Sequence, residues 1–202
     1  MVITLGLSGS SGSGKTTIAG MFAKFCNAAV FCADMEVNDM YSNDEDIANL
    51  VKEYFPDSIS EGCVSKKELA KHFFVYSAKW QEFQSLVHKA LIKRQRKFMI
   101  DSRRAGHDYV ILDIPLLFEK GFLRACDFVI HVYVCRMLQY ERLAARGMSR
   151  KDMEFILSLQ ATYGKRQNFA DFYINTGLSR VAVSSYVRNI VDDIKNMLRY
   201  NS

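Results

Sequence analysis

Gly9, Gly12, Gly14, Lys15 and Thr16 stand at the spacing that can hold a polyphosphate. They fall in Gly9-Ser10-Ser11-Gly12-Ser13-Gly14-Lys15-Thr16, which fits the pattern G-x-x-x-x-G-K-[ST]. Glycines at these places let the backbone curl until its N–H groups converge on phosphate oxygens. Lys15 adds a cation for the β- and γ-phosphates, and the Thr16 hydroxyl can ligate Mg²⁺ where the following helix begins. The loop is therefore read as a cradle for a polyphosphorylated ligand. A flexible Gly/Ser turn has a similar composition but lacks the context. Val2 to Leu7 reads as a buried strand, and Ile18, Met21, Phe22 and Phe25 recur at helical spacing directly after the loop.

Other residues could complete a phosphoryl-transfer site. Asp34 lies two residues beyond the apolar run Ala29 to Cys32, at the carboxyl edge of a strand, where a carboxylate could orient an acceptor hydroxyl and take its proton. The same position suits a cap on a helix from Met35 to Tyr41, and the residues alone leave both readings open. Asp113 ends the run Tyr109 to Leu112, the setting of an acid that holds Mg²⁺; the alternative is a strand-terminal side chain bonded to a neighbouring loop. Arg142 and Arg146, four apart, share a helix face with Gln139 and could close over the nucleotide, or could form a solvated face. His88, set among Leu86, Val87, Leu91 and Ile92, reads as a buried structural histidine.

These groups need a frame. Val2 to Leu7, Ala29 to Cys32, Tyr109 to Leu112, Phe128 to Val134 and Phe172 to Ile174 are short, continuously apolar runs. Such runs mark strands buried on both faces, so the expectation is a three-layer α/β fold on a five-stranded parallel sheet. Val183, Val187, Ile190, Val191, Ile194 and Leu198 form the apolar stripe of a closing helix. Two segments exceed simple crossovers. The stretch from about 34 to 97 carries helical patterning and Trp80, and would be an acceptor-binding insertion. The stretch from about 138 to 169 reads as a helical hairpin, a lid whose second arm starts at a capping pair, Ser149 and Asp152. All of this fits one domain spanning 1–202.

The bulk composition agrees. With 49% hydrophobic residues in 202, the chain can bury a full core, and no apolar stretch approaches the roughly 20 residues that span a bilayer. No leader pattern precedes the first strand, so the chain is read as cytoplasmic with no membrane partner. Five cysteines without a C-x-x-C pair fit reduced thiols, most of them in the core. The net charge of +5 suits polyanionic small molecules as well as nucleic acid, and no nucleic-acid partner is inferred from it. Lys93, Arg94, Arg96, Lys97, Arg103 and Arg104 form the densest basic cluster, read as a solvated helix end.

Taken in order, these segments resemble the dephospho-CoA kinase family almost end to end. The resemblance is carried by Gly6-Leu7-Ser8-Gly9 with the loop, Asp34, Leu86-Val87-His88, and Asp113-Ile114-Pro115-Leu116-Leu117-Phe118-Glu119. It continues through Glu141-Arg142-Leu143-Ala144-Ala145-Arg146, Gln160, and Ala170-Asp171 leading to Asn175-Thr176-Gly177. It implies a P-loop kinase fold and transfer of the γ-phosphate of ATP to the ribose 3′-hydroxyl of dephospho-CoA, in a monomer or weak homo-oligomer. By the same resemblance Asp34 is the base, Lys15 and Arg146 stabilise transferred charge, and the ATP site comprises Gly12, Ser13, Gly14, Lys15, Thr16 and Thr17 together with Arg142. Adenine contacts are implied near Asn175 and Gly177, and Mg²⁺ near Thr16 and Asp113. Cys32 stands where the family usually has an aspartate, Lys89 where it has a proline, and Thr162-Tyr163-Gly164-Lys165-Arg166 where it has Pro-Arg-Glu-Glu-Lys. Another nucleoside-monophosphate or small-molecule kinase of the same fold is the nearest alternative, and a nucleotide-dependent regulatory protein a more distant one.

Overall fold

The apolar runs become strands and the periodic stretches become helices. In a computed structural model, residues 2–75, 77–114, 125–161 and 170–200 are described, with backbone alone at 159–161. In chain order the elements are β1 (Ile3–Ser8), α1 (Lys15–Phe25), β2 (Ala28–Cys32), α2 (Ala33–Asn43) and α3 (Glu45–Tyr54). A short 3₁₀ turn (Pro56–Ser58) leads to β3 (Ile59–Ser60), β4 (Cys63–Val64), α4 (Lys66–Val75) and α5 (Ala78–Arg104). Then follow β5 (Tyr109–Asp113), β6 (Phe128–Tyr133), α6 (Arg136–Ala144), α7 (Arg150–Ala161), β7 (Phe172–Asn175) and α8 (Arg180–Tyr200).

Five strands form one parallel sheet in the order β2-β5-β1-β6-β7. The strand that feeds the glycine loop is thus central, flanked by β5 and β6. Its register pairs Leu7 with Asp113 on one side and Ser8 with His131 on the other, so both polar residues sit at the carboxyl edge from which the loop departs. Such an edge is where open parallel sheets bind ligands. Leu5, Leu7, Ile111 and Ile130 are fully buried, as expected of strands covered on both faces. The expected stripe of α8 is present: Val183, Val187, Ile190, Val191 and Ile194 are buried, and they join the same core as Phe22 of α1.

The chain divides into two compact units, Met1–Cys32 with Asp101–Ser202, and Ala33–Ile100. The second has its own aromatic core. Phe55 lies 5.2 Å from Phe83, 5.7 Å from Trp80 and 4.2 Å from His72, measured between ring centroids. Arg94 of α5 adds a polar tie, reaching Asp39 at 2.5 Å, Asp44 at 3.0 Å and Glu36 at 3.4 Å. Asp44 serves twice, because its other oxygen caps α3 by accepting from the Ile47 N–H. Among the described residues no helix is long and apolar enough to cross a membrane.

Several expectations need correction. Helix α2 begins at Ala33, directly after β2, so Asp34 lies inside its first turn instead of capping a helix that starts at Met35. His88 is half-buried on α5 instead of fully buried. No cysteine is fully buried: Cys26, Cys32 and Cys126 are half-buried, Cys26 against the sheet core, while Cys63 and Cys135 are exposed, and all five are thiols. Burial still pushes Cys26 up to about 11 and Cys126 to about 12. The hairpin β3–β4 was not legible at all. Its strands are two residues long, and it turns through Glu61 (φ 52°) and Gly62 (φ 79°), the paired positive angles of a type I′ turn.

Candidate active site

The loop leaves β1 at Gly9 and closes on α1 at Gly14, which precedes Lys15 in a left-handed conformation at φ 97°. Gly9 tolerates nothing larger. A Cβ there would lie 2.2 Å from the Val132 carbonyl oxygen, at a φ of 145°. The glycine therefore lets the loop cross the end of β6 at backbone contact distance. Inside the loop the Ser13 N–H donates to the Ser10 carbonyl at 3.1 Å, which tightens the curl. Lys15 is buried, and its Nζ donates to the Gly9 carbonyl at 2.8 Å and to that of Ser10 at 3.3 Å. A lysine held this way is poised where a polyphosphate would enter and needs only exchange a carbonyl for a phosphate oxygen.

Two expected metal-site residues meet. The Thr16 hydroxyl donates to Asp113 Oδ2 at 2.8 Å, and Asp113 is 3% exposed. One hydroxyl and one carboxylate, both hard oxygen donors, suit Mg²⁺, which commonly takes one or two protein oxygens and completes its shell with water and phosphate. The register of β5 against β1 accounts for the meeting, since Asp113 ends its strand opposite Leu7.

Helix α6 and the end of β7 close round the outside of the loop. Gln139 Nε2 donates to Ser10 Oγ and to the Ser11 carbonyl, both at 2.6 Å. Arg142 Nη1 reaches the Gly12 and Ser13 carbonyls at 3.3 Å each, and its two terminal nitrogens reach Thr176 Oγ1 and the Thr176 carbonyl at 2.8 Å each. Gln139 and Arg142 share a helix face as expected. Arg146 does not: α6 stops at Ala144, and Arg146 stands in the following turn, which Gly147 completes at φ 79°. It nonetheless lines the same cleft as Gly12, Gly14, Thr17 and Arg142, about 470 Å³ in volume. Leu178 and Arg180 also line this cleft, and nothing in their local sequence flagged them beyond their place after a strand's carboxyl end. Asn175 Oδ1 accepts from the Gly177 N–H at 2.9 Å, which turns the chain away from β7 beside that cleft.

Asp34 belongs to the other compact unit, where it is exposed in the first turn of α2. A carboxylate there is favoured by the helix dipole. Beneath the loop, His131 is buried and its Nδ1 lies 3.2 Å from Ser8 Oγ. Burial, and secondarily the charge of Lys15, hold it below the ordinary histidine value. The segment Pro115 to Glu119, the side chain of Gln160 and the segment Thr162 to Arg166 lie outside the described residues, as does the end of the expected lid.

A parallel sheet with this strand order, a glycine loop at its central edge, a buried lysine and a hydroxyl–carboxylate pair define a P-loop protein of the small-molecule kinase type. A family model described as dephospho-CoA kinase matches residues 3–180. The chain belongs to the dephospho-CoA kinase family. It is 52% identical over 193 residues to a dephospho-CoA kinase of Anaplasma marginale, covering 96% of this chain and 86% of the relative. It is 41% identical to a dephospho-CoA kinase of Ehrlichia chaffeensis over the full length of both chains. In fold it resembles the crystal structure of TT1252 from Thermus thermophilus, with a TM-score of 0.79 at 23% identity, covering 94% and 96% of the two chains.

Proposed function

We propose that this chain transfers the γ-phosphoryl group of ATP to the ribose 3′-hydroxyl of dephospho-CoA, giving coenzyme A and ADP. Family membership along residues 3–180 supports the acceptor, and the observation that carries the chemistry is the loop with Lys15 and the Thr16–Asp113 pair at one sheet edge. In this reading the insertion of about 34–97 receives the acceptor and the hairpin of about 138–169 is the lid of a single kinase domain. The chain would act in the cytoplasm as a monomer or weak homo-oligomer, with small molecules as its partners.

Positioning and charge stabilisation dominate phosphoryl transfer. The loop N–H groups and Lys15 take the β- and γ-phosphates, while Arg146 brings positive charge to the group in transit. Asp34 orients the 3′-hydroxyl and accepts its proton as the new O–P bond forms. The bond between the γ-phosphorus and the β,γ-bridging oxygen breaks, and ADP departs with that oxygen. Mg²⁺, held by Thr16 and Asp113, would neutralise phosphate charge when bound. The adenine would lie near Asn175 and Gly177.

The test is a coupled assay of ADP formation. ADP should form when dephospho-CoA is present and stay at background without it. Faster turnover with AMP or shikimate would overturn the assignment of the acceptor.

A further inference from the structure

A loop that binds phosphate with its amides has a second requirement, because its carbonyls must be kept facing the other way. Across a planar trans peptide the C=O of one residue and the N–H of the next point in opposite directions. Fixing a carbonyl outward therefore fixes the following N–H inward. In this chain the outer carbonyls are met by side chains from two elements remote in sequence. Gln139 of α6 donates to the Ser11 carbonyl, which sets the Gly12 N–H. Thr176, at the end of β7, donates its hydroxyl to the Ser13 carbonyl at 2.5 Å, which sets the Gly14 N–H. Arg142 donates to that same carbonyl and to Gly12, and is itself anchored at both terminal nitrogens by Thr176.

The hydrogen-bond geometry of Thr176 is closed. Its hydroxyl donates to the Ser13 carbonyl at 2.5 Å, with the Tyr133 carbonyl farther off at 3.4 Å, a lone pair accepts from Arg142, and its N–H donates to the Tyr133 carbonyl at 2.9 Å. Its side chain also fits against Gly14, where a Cβ would lie 3.3 Å from both Thr176 Cγ2 and Oγ1. Arg142 directs both terminal nitrogens at protein oxygens.

We infer that Gln139, Arg142 and Thr176 form an outer belt of donors that holds the loop carbonyls outward and so preorganises its amides for anions, with Thr176 as the central positioning residue. The inference rests on the ATP-site reading above. Calorimetric titration of the full chain with inorganic tripolyphosphate and with ATP separates the two. Tripolyphosphate engages the loop without a base or ribose, so it reports on the amides.

Thr176→Val keeps the shape and removes the hydroxyl, and should raise the Kd for tripolyphosphate and for ATP by at least about fivefold. Thr176→Ser restores the donor and should return both within about twofold, while Gln139→Leu should weaken both ligands as Thr176→Val does. Tripolyphosphate binding unchanged in Thr176→Val overturns the belt, as does loss of ATP alone, which would place Thr176 at the base. A Ser variant as weak as the Val variant also overturns it, because the methyl and not the hydroxyl would then matter. If the parent chain binds neither ligand, the nucleotide-site reading falls and the belt with it.

Discussion

Asp34, proposed as the base, also has a structural place in the first turn of α2. Its charge complements the helix dipole, and losing that charge to asparagine costs about 0.3–1 kcal/mol, too little to unfold the chain. A base, by contrast, cannot be replaced by an amide. Asp34→Asn should therefore keep the fold and the affinity for ATP while lowering phosphoryl transfer by at least about a hundredfold. Steady-state kinetics beside nucleotide titration measure both, and turnover within threefold of the parent would return Asp34 to its helix. His131 yields a different expectation. Its depressed value means that the unfolded chain takes up a proton first as pH falls, so the native state loses stability below the unfolded-state value of about 6.5. The thermal midpoint should hold steady above that pH and decline from there toward the folded-state value. His131→Gln should flatten that decline, and an equally steep decline in the variant would assign it to other groups.

Elements differ in how plainly the sequence announces them, and the reasons are physical. Helix α8 repeats a branched apolar residue every three or four positions because one side packs on the sheet, so its stripe could be read directly. Helix α6 could be read only in part. The spacing of Gln139, Arg142 and Arg146 looked like one face, but the helix ends at Ala144 because the chain turns through Gly147, a local event that periodicity does not encode. The basic cluster on α5 shows the same limit. Lys93, Arg96, Lys97, Arg103 and Arg104 are exposed as expected, whereas Arg94 is drawn in by carboxylates on α2 and at the start of α3. Bonding to Arg94 holds the Asp39 carboxyl below its ordinary value. Arg94→Gln should lower the thermal midpoint by leaving three carboxylates facing one another. Because these groups are partly exposed, the gap between variant and parent should narrow as salt is raised from about 0.05 to about 0.5 M. A gap independent of salt would mean that the guanidinium contributes packing instead of charge.

At the scale of the whole chain, the donor half of the candidate site was legible because it is contiguous: eight residues and one strand end specify the loop, Lys15 and Thr16. Asp113 joined it through strand register, a parallel pairing that apolar runs suggest without fixing. Leu178 and Arg180 were missed because cleft walls assembled from separate crossovers leave no spacing to read. The division into two compact units, residues 1–32 with 101–202 and residues 33–100, predicts a division of ligands. If the nucleotide is held by the first and the acceptor received by the second, each should slow amide exchange in its own unit. ATP alone should protect the loop from Gly9 to Thr17 and the amides of α6, and dephospho-CoA alone should protect α2 and other amides between residues 33 and 100. Hydrogen exchange with mass-spectrometric readout measures both patterns on the intact chain. Protection by dephospho-CoA confined to residues 1–32 and 101–202 would remove the insertion from acceptor binding and, with it, the reason to place the base at Asp34.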